Sequence, residues 1–536
     1  MVFRNDMWEQ DVIKGMSYQK IDCKTFYTYE SMPANIYEML RATALKFPER
    51  IAIVDNHDTS YSFSDLLALV DQFSSYLTYS CKVEKGVHVA LMMYNSIEFC
   101  VSFLSLCKIG AVTVPLPSKY KEDEVVSLAD KADLSYIICD ENFYGYFSSC
   151  KNTSIKFIQS INSDLGYGFS HLTQDNFSPC ESVGTLADTV IIMFTSGTTS
   201  QSKGVLIRNF NMMHAIITYQ RVLQITELDK STISTPIYHI TGLVALLGLF
   251  IYAGGRLYLH KTFNAKRVLT CVKENNITFL HASPTVFSML LEERNSFDEL
   301  PSLKSFACGS SNMPLEKLKQ LHAWLPNTSF HTVYGLTETT SPATIFPSDV
   351  CISPYIGSSG MPIPGVEFKI VAEDESELAY NEVGEILVRG SVVIDQYYNT
   401  LSDAIDKDGW LRTGDLGYFN SENYLFIVDR KKDMINRGGE KIWCFDIENE
   451  ICKIPGVIEV AVVGIADDRY GEVPVAVVKV SPSTFFSEED ILDILKPRLA
   501  KFQMPQRIIF VAAIPKTPND KIDKKYIRSY LKNLLN

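Results

Sequence analysis

The first 350 residues repeat a pattern in which a short apolar run is followed by a stretch of helical spacing and then by a second apolar run. Residues 87–93 are such a run, Ser96 begins the helical stretch, Gly110 ends it, and residues 111–114 form the next run. A strand, a helix and a second strand in this order make the unit from which parallel sheets are built.

The unit recurs twice before residue 350. Its strands are predicted at 256–259 and 277–282 in the second copy, and at 303–308 and 329–333 in the third. We therefore predict a layered α/β arrangement for this part of the chain. Residues 1–30 are polar with scattered aromatic residues, and they are predicted to be only a lead-in arm.

The pattern changes after residue 356. Val366, Phe368 and Ile370 alternate with charged neighbours, which predicts a small antiparallel β subdomain ending near Val428. A charged run follows at 429–433, and beyond it short helical and strand-like stretches predict a compact α+β unit. The predicted fold class is α/β, with a large N-terminal lobe of β-α-β units plus the β subdomain, and a small C-terminal domain.

Composition and charge limit the class of protein. A chain of 536 residues is too long for a single core, so roughly two to four domains are expected. The net charge of -13 argues against nucleic acid as the main partner. The 12 cysteines include no Cys-x-x-Cys pair, which fits a reducing cytoplasm. The first ten residues lack the apolar segment of a secretory signal, and the longest apolar run, residues 243–253, is too short to span a bilayer.

The most suggestive chemical stretch is residues 195–204, Thr-Ser-Gly-Thr-Thr-Ser-Gln-Ser-Lys-Gly, which follows an apolar run. Backbone N–H groups and hydroxyls can point at phosphate oxygens, Gly197 lets the main chain approach closely, and Lys203 supplies a mobile charge. The stretch is not a Walker P-loop, because Ser202 precedes the lysine and Gly204 follows it, where that motif has Gly and then Ser or Thr. On composition alone, a flexible surface loop is the commoner interpretation.

Four later stretches carry related chemistry. Residues 334–338, Tyr-Gly-Leu-Thr-Glu, follow a predicted strand, where open α/β sheets bind ligands, and Glu338 is a hard ligand suited to Mg²⁺. Asp415 ends a glycine-containing turn and is placed to accept ribose hydroxyls. Residues 437–441 form a glycine loop, and residues 515–523 form a proline-bounded loop with lysines. Taken alone, residues 334–338 and Asp415 are equally typical of ordinary turns, and the glycine loop is also typical of a tight turn. Lysines in such a tail loop are usually only solvated.

In this order and spacing, the stretches resemble those of the adenylate-forming superfamily, which includes acyl-CoA synthetases, luciferases and the adenylation domains of peptide synthetases. The resemblance covers nearly the whole chain and is carried by residues 195–204, 334–338, 409–415, 429–441 and 515–521. It implies an enzyme that uses ATP and Mg²⁺ to activate a carboxylic acid as an acyl adenylate and then transfers the acyl group to CoA. A freestanding ligase that loads the phosphopantetheine thiol of a carrier protein shares every motif and stays open as an alternative.

The resemblance also implies a role for each matching residue. Those expected to hold ATP and AMP are Thr195, Ser196, Gly197, Thr198, Thr199, Lys203, Gly309, Ser310, Ser311, Tyr334, Gly335, Thr337, Asp415, Arg430 and Lys521. Those expected to be catalytic are Lys521, Lys203, Thr337 and Glu338, with Glu338 also the metal ligand. Lys521 matches the lysine that bridges the substrate carboxylate and the α-phosphate during adenylation.

The resemblance further implies that the C-terminal domain is mobile. Residues 1–428 are expected to form the N-terminal domain with the ATP and acyl sites, residues 429–432 the hinge around Lys432, and residues 433–536 the mobile C-terminal domain. After that domain swings, the residues expected to line the tunnel for the CoA pantetheine are Gly438, Gly439 and Lys441.

The acyl pocket is assigned to residues 236–242, Pro-Ile-Tyr-His-Ile-Thr-Gly, together with Gly335. Amino-acid-activating relatives carry an Asp at the position of His239 to pair with the substrate ammonium, so a fatty or aromatic acid is favoured here. Gly242 is expected to leave room for a long or flat chain. One residue departs from the family pattern: Asp520 stands where Gly usually precedes the catalytic lysine. It supports a third interpretation, a catalytically weakened binding or luciferase-like protein.

Overall fold

The computed structural model describes residues 2–3, 8–147, 150, 155–161, 177–195, 202–482, 484–517 and 521–535. In its N-terminal part, a mixed sheet, sheet A, runs in the order Tyr397–Tyr398, Gly204–Arg208, Thr189–Phe194, Val112–Pro115, His88–Met92, Tyr136–Asp140, Lys156–Ile161. From Thr189–Phe194 onward its strands are parallel, whereas Gly204–Arg208 and Tyr397–Tyr398 are antiparallel to their neighbours.

The first predicted β-α-β unit is confirmed. His88–Met92 and Val112–Pro115 pair in parallel, and helix Ile97–Ile109 joins them. The side chain of Ser96 accepts a backbone hydrogen bond at the N-terminus of the helix, and Gly110 ends the helix in the left-handed conformation with φ 68°. Both ends of the helix are therefore set by the residues that predicted them.

Two further sheets complete the β-α-β layers. Sheet B runs in the order Lys230–Ile233, Arg256–Leu259, Ile51–Val54, Ser60–Ser62, and sheet C in the order Phe279–Ala282, Ser305–Cys308, Ser329–Tyr334, Thr344–Ile345, Met361–Pro362. The third predicted unit is confirmed, since Ser305–Cys308 and Ser329–Tyr334 pair in parallel. The second is wrong in its pairing, because Arg256–Leu259 lies in sheet B and Phe279–Ala282 in sheet C. An apolar run predicts a strand but not its neighbour.

The predicted antiparallel β subdomain is confirmed as sheet D. Its order is Val2–Phe3, Val366–Val371, Gly384–Gly390, Leu411–Phe419, Leu425–Arg430. The prediction of a simple lead-in arm is wrong. The first strand of this segment, Val2–Phe3, joins sheet D. The next two strands, Met16–Ile21 and Lys24–Tyr29, form an antiparallel hairpin in which Tyr29 is buried.

The C-terminal part forms its own sheet and its own apolar cores. The strand order is Glu440–Ile442, Ile435–Arg437, Gly471–Val480, Val457–Asp467, with Arg507–Phe510 parallel beside Gly471–Val480.

The α-helices of the described chain are Gln10–Ile13, Ile36–Lys46, Phe63–Tyr79, Ile97–Ile109, Glu122–Lys131, Asn209–Val222, Leu249–Ala253, Ala265–Asn275, Pro284–Glu292, Leu315–Trp324, Cys444–Cys452, Glu488–Leu495 and Lys524–Leu535, and Gly242–Gly248 is π-helical. Within the described residues, no helix has the length and apolar character needed to cross a membrane.

Candidate functional site

A cavity opens at the carboxyl ends of the parallel strands of sheet C, the edge at which open α/β sheets bind ligands. Ser283, Gly309 and Gly335 each directly follow one of those strands and line the cavity. Ser311, predicted to hold ATP and AMP, is exposed and lies outside this lining. The predicted site residues that the structure brings to the cavity are His239, Gly242, Gly309, Ser310, Gly335, Thr337 and Lys521.

Lys521 reaches this cavity from the C-terminal part of the chain. Its carbonyl accepts a hydrogen bond from the N–H of Thr517 at 2.7 Å, which closes the loop that carries it. Burial first, and then the charge of Arg430, lower the pKa of the ammonium to about 8, while Asp415 and Glu338 act in the opposite direction. The ammonium therefore lies within electrostatic reach of the carboxylates predicted to bind the ribose and the metal.

Asp415 is the centre of the cluster predicted to bind ribose. It lies opposite Arg430 on neighbouring antiparallel strands, and the Nε of Arg430 is 3.1 Å from its Oδ1. The hydroxyl of Tyr334 donates to its Oδ2 at 2.8 Å. Burial and the charge of Asp415 raise the pKa of the Tyr334 hydroxyl, which keeps that group a donor. Two partners thus hold the buried carboxylate in one orientation.

Thr195 and Lys203 close the two ends of the predicted phosphate loop. The N–H of Thr195 donates to the carbonyl of Lys203 at 3.0 Å, and the Nζ of Lys203 donates to the Oγ of Ser402 at 2.9 Å. The same ammonium lies 4.8 Å from the centre of the Tyr397 ring. The predicted phosphate-binding residues that lie outside the described residues are Ser196, Gly197, Thr198 and Thr199.

Tyr397 is a site residue that the sequence pattern does not reveal. Its hydroxyl donates to Oε1 of Glu338 at 3.2 Å, while its ring faces Lys203. Burial and the charge of Glu338 raise the pKa of this hydroxyl, so it stays a donor. Tyr397 thus joins the predicted metal ligand to the predicted phosphate lysine. It lies in a two-residue strand, and such a strand carries no signal of function.

Two glycines in the cavity wall are required by close backbone approach. A Cβ at Gly335 would lie 1.5 Å from the carbonyl oxygen of Ser341, so no other residue fits there. A Cβ at Gly242 would lie 2.8 Å from the Cα of Ile237. The neighbouring backbone therefore requires a glycine at position 242, and its role in leaving room for a long or flat acyl chain stays a prediction.

His239 lies in the cavity wall, and its ring packs against Tyr238 with the two centres 4.6 Å apart. Burial first, and then the charges of Lys521 and Lys119, lower the pKa of this imidazole to about 3. The imidazole is neutral at physiological pH, so His239 contributes a polar but uncharged surface to the cavity wall. Such a wall offers no counter-charge to the ammonium of an amino acid.

The residues predicted to contact the CoA pantetheine lie away from the cavity. Gly438 and Gly439 are exposed, with left-handed φ angles of 61° and 97°. The Nζ of Lys441 is 2.8 Å from a carboxylate oxygen of Glu373 at the surface. Lys432, in the predicted hinge, is also exposed. With Lys521 at the cavity, this glycine loop is on the outside of the molecule.

Comparison with known proteins agrees with this geometry. Residues 40–398 match the family of AMP-binding enzymes, and residues 446–521 match the C-terminal domain of AMP-binding enzymes. A long-chain-fatty-acid–CoA ligase of Mycobacterium tuberculosis is 30% identical over 510 residues, which cover 92% of this chain and 98% of the relative.

Solved structures of o-succinylbenzoate CoA synthetase from Bacillus subtilis show the same fold at 28% identity. The complex with the acyl-adenylate intermediate has a TM-score of 0.81 and covers 94% of this chain and 98% of that one. The complex with ATP and a magnesium ion has a TM-score of 0.80 and covers 92% and 99%. These matches confirm the expected resemblance and the expected α/β fold with a smaller C-terminal domain. The chain belongs to the family of AMP-binding enzymes.

Proposed function

We propose that this protein is an AMP-forming acid–CoA ligase for a fatty or aromatic carboxylic acid. The observation that carries the proposal is the position of Lys521, which lines the same cavity as His239 and lies in the field of Asp415 and Glu338. An ammonium so placed can meet a substrate carboxylate and a nucleotide phosphate together. The relatives named above are CoA ligases that act on a fatty and on an aromatic acid, which supports the same reaction class here.

We assign ATP to the region between the cavity and the residues Asp415 and Lys203. Asp415, held by Tyr334 and Arg430, offers acceptor oxygens to the ribose hydroxyls. Lys203 offers its ammonium to the β- and γ-phosphates. Thr337 lines the cavity and is assigned to the α-phosphate.

A magnesium ion fits the same region. Within the described residues there is no cluster of three or more His, Cys, Asp or Glu side chains that would hold a metal. Mg²⁺ commonly binds through one or two carboxylates together with substrate phosphates and water, so Glu338 alone suits it. When bound, the ion would neutralise phosphate charge and lower the repulsion between the two anionic reactants.

The residues of the chain support a two-step reaction. In the first step, a carboxylate oxygen of the acid attacks the α-phosphorus of ATP, and pyrophosphate leaves. Both reactants are anions, and Lys521 and Lys203 reduce their repulsion and stabilise the charge on the transferring centre. In the second step, the CoA thiolate attacks the acyl carbon, a thioester forms, and AMP leaves with the bridging oxygen.

We assign the two steps to two arrangements of the chain. Residues 1–428 form the N-terminal domain, residues 429–432 the hinge, and residues 433–536 the mobile C-terminal domain. Lys521 lies at the cavity and Gly439 lies outside it, which suits the adenylation step. Thioester formation then requires a swing that exchanges one loop for the other. All twelve cysteines are free, and we place the enzyme in a reducing cytoplasm.

An assay of the purified protein with ATP, Mg²⁺ and a panel of fatty and aromatic acids tests the proposal. We expect pyrophosphate exchange with a subset of the acids and AMP release that requires CoA. If AMP release requires a phosphopantetheinylated carrier protein instead, the acceptor is that carrier protein and not CoA. The absence of exchange with every acid would refute the ligase and favour a protein that only binds ligands.

The pH dependence of adenylation provides a separate prediction. The pKa of Lys521 is lowered to about 8, so its ammonium is present below that pH and is lost above it. The kcat/KM for ATP in pyrophosphate exchange, which reports the free enzyme, should be level below pH 8 and then fall about tenfold per pH unit. Because the assay omits CoA, ionisation of the thiol does not contribute. In Lys521→Arg the guanidinium stays charged, and the fall should disappear. The same fall in both proteins would assign it to another group.

A further inference from the structure

A buried histidine in the wall of the cavity has no use in the chemistry described so far. His281 is 4% exposed and lines the cavity. Neither Nδ1 nor Nε2 of its ring has a hydrogen-bond partner among the described residues. By contrast, both ring nitrogens of the buried His214 are partnered, to the Oγ1 of Thr28 at 2.8 Å and to the carbonyl of Pro364 at 2.6 Å. Buried polar groups are normally hydrogen-bonded, so His281 requires an explanation.

The surroundings of His281 leave its ring nitrogens to a ligand. The rings of Tyr219 and Phe279 lie 5.9 Å and 6.4 Å from it, and both are contacts of ring faces and edges. The hydroxyl of Tyr219 is already paired with the Oγ of Ser341 at 3.0 Å. A Cβ at Gly309 would lie 3.6 Å from Cε1 of His281, an ordinary van der Waals distance, so the ring lies directly beside Gly309.

The charge of the cavity limits what this histidine can bind. Among the described residues that line the cavity, Lys521 is the one with a formal charge. The Lys521 ammonium is assigned to the reacting carboxylate. A second carboxylate on the substrate acid would therefore be buried without a cation, and an amino group on the acid would be buried without an anion. Burial lowers the pKa of His281 to about 3, so the ring is neutral and offers one donor and one acceptor. An uncharged polar group satisfies these conditions.

We propose that the acid activated by this enzyme carries an uncharged oxygen, a hydroxyl or a ketone, away from its reacting carboxylate, and that His281 hydrogen-bonds this oxygen. The proposal rests on the ligase function and narrows its substrate from fatty or aromatic acids in general to their hydroxy and keto derivatives. A neutral imidazole can donate to either oxygen and accept from a hydroxyl. An acid that lacks the oxygen leaves a buried imidazole unpaired, and sites built for a substrate hydroxyl discriminate strongly for that reason.

Matched pairs of acids test the proposal. Each pair consists of an acid and its hydroxy or keto derivative at the far end, for benzoates, phenylalkanoates and straight chains of several lengths. For the pair that fits the cavity, we expect kcat/KM in pyrophosphate exchange to favour the oxygenated acid by about 100-fold or more. In His281→Leu, the same ratio should fall to within about threefold or reverse, while His281→Gln, whose amide can donate and accept, should keep part of it.

His260→Leu is the matched control. His260 is 6% exposed, its Nε2 is also without a partner in the described part of the chain, and it does not line the cavity. We expect its ratio to equal that of the unchanged enzyme. A preference of the unchanged enzyme for the apolar member of every pair, or an unaltered ratio in His281→Leu, would overturn the proposal. In both cases pyrophosphate exchange would still occur, whereas failure of the ligase function would abolish exchange with all acids. If His281→Leu does not fold, the ratio of the unchanged enzyme alone decides.

Discussion

Replacing Lys521 with alanine is expected to lower the rate of acyl-adenylate formation by roughly 10²–10³-fold, the usual effect of removing one group that stabilises developing charge in a preorganised site. Among the described residues that line the cavity, Lys521 alone carries a formal charge. Without it, the carboxylate and the α-phosphate approach each other with less of their repulsion offset. Pyrophosphate exchange at saturating acid measures this step directly.

A second measurement separates the two half-reactions. If Lys521 acts only in adenylation, Lys521→Ala should convert pre-formed acyl adenylate and CoA to thioester at nearly the rate of the unchanged enzyme. Lys516→Ala is the matched control, because Lys516 belongs to the same loop but its Nζ lies 3.1 Å from Glu459. Its exchange rate should change by about twofold or less, as is usual for partly exposed ion pairs. Similar large losses in both variants would show that folding of the loop, rather than the ammonium, is responsible.

The local features of this fold are predictable because neighbouring residues determine them. Ser96 and Gly110 mark the two ends of helix Ile97–Ile109, and the structure uses both as caps. The pairing of strands is different. Arg256–Leu259 and Phe279–Ala282 are both predicted as strands, but they lie in separate sheets. Burial of a strand is encoded in its own residues, whereas its neighbour depends on how distant segments pack.

The candidate site shows the same division. Gly309 and Gly335 could be placed together in advance, because parallel strands end at one edge of a sheet. The hydrogen bond between Tyr334 and Asp415 joins residues 81 positions apart, and no local pattern encodes such a contact. From the sequence, His281 is predicted only as a buried residue of its strand, because the cavity that it lines is formed by distant segments.

One geometric fact links the structure to the order of the reaction. The Lys521 loop and the glycine loop with Gly439 belong to the same C-terminal part, yet the first lies at the cavity and the second is exposed. Under the proposed assignment of the glycine loop to CoA, a rigid enzyme could therefore complete adenylation but could not bring that loop to the thiol. In the proposed mechanism, the second step therefore depends on the charged run at 429–433, which contains the proposed hinge.

Replacing Lys432 with proline is expected to leave pyrophosphate exchange within about threefold of the unchanged enzyme and to lower thioester formation by roughly 10²-fold, because proline fixes φ at the position proposed as the hinge. Lys432 lies in a turn in which the N–H groups of Asp433 and Met434 donate to the carbonyl of Arg430 at 2.9 Å and 3.0 Å. No hydrogen bond from the Lys432 N–H is present among the described residues, so proline removes none. Both half-reactions are measured separately, with CoA omitted from the first.

Lys432→Ala is the control for this experiment, because it removes the same side chain and leaves the backbone free. It should support both half-reactions at rates close to those of the unchanged enzyme. Proline also restricts the residue before it, here Lys431, whose N–H donates to the carbonyl of Gly414 at 2.9 Å. Preserved pyrophosphate exchange is therefore the evidence that the adenylation arrangement is intact. Equal loss of the two half-reactions in Lys432→Pro would argue that both occur in one arrangement, and the assignment of the glycine loop to the second step would then be wrong.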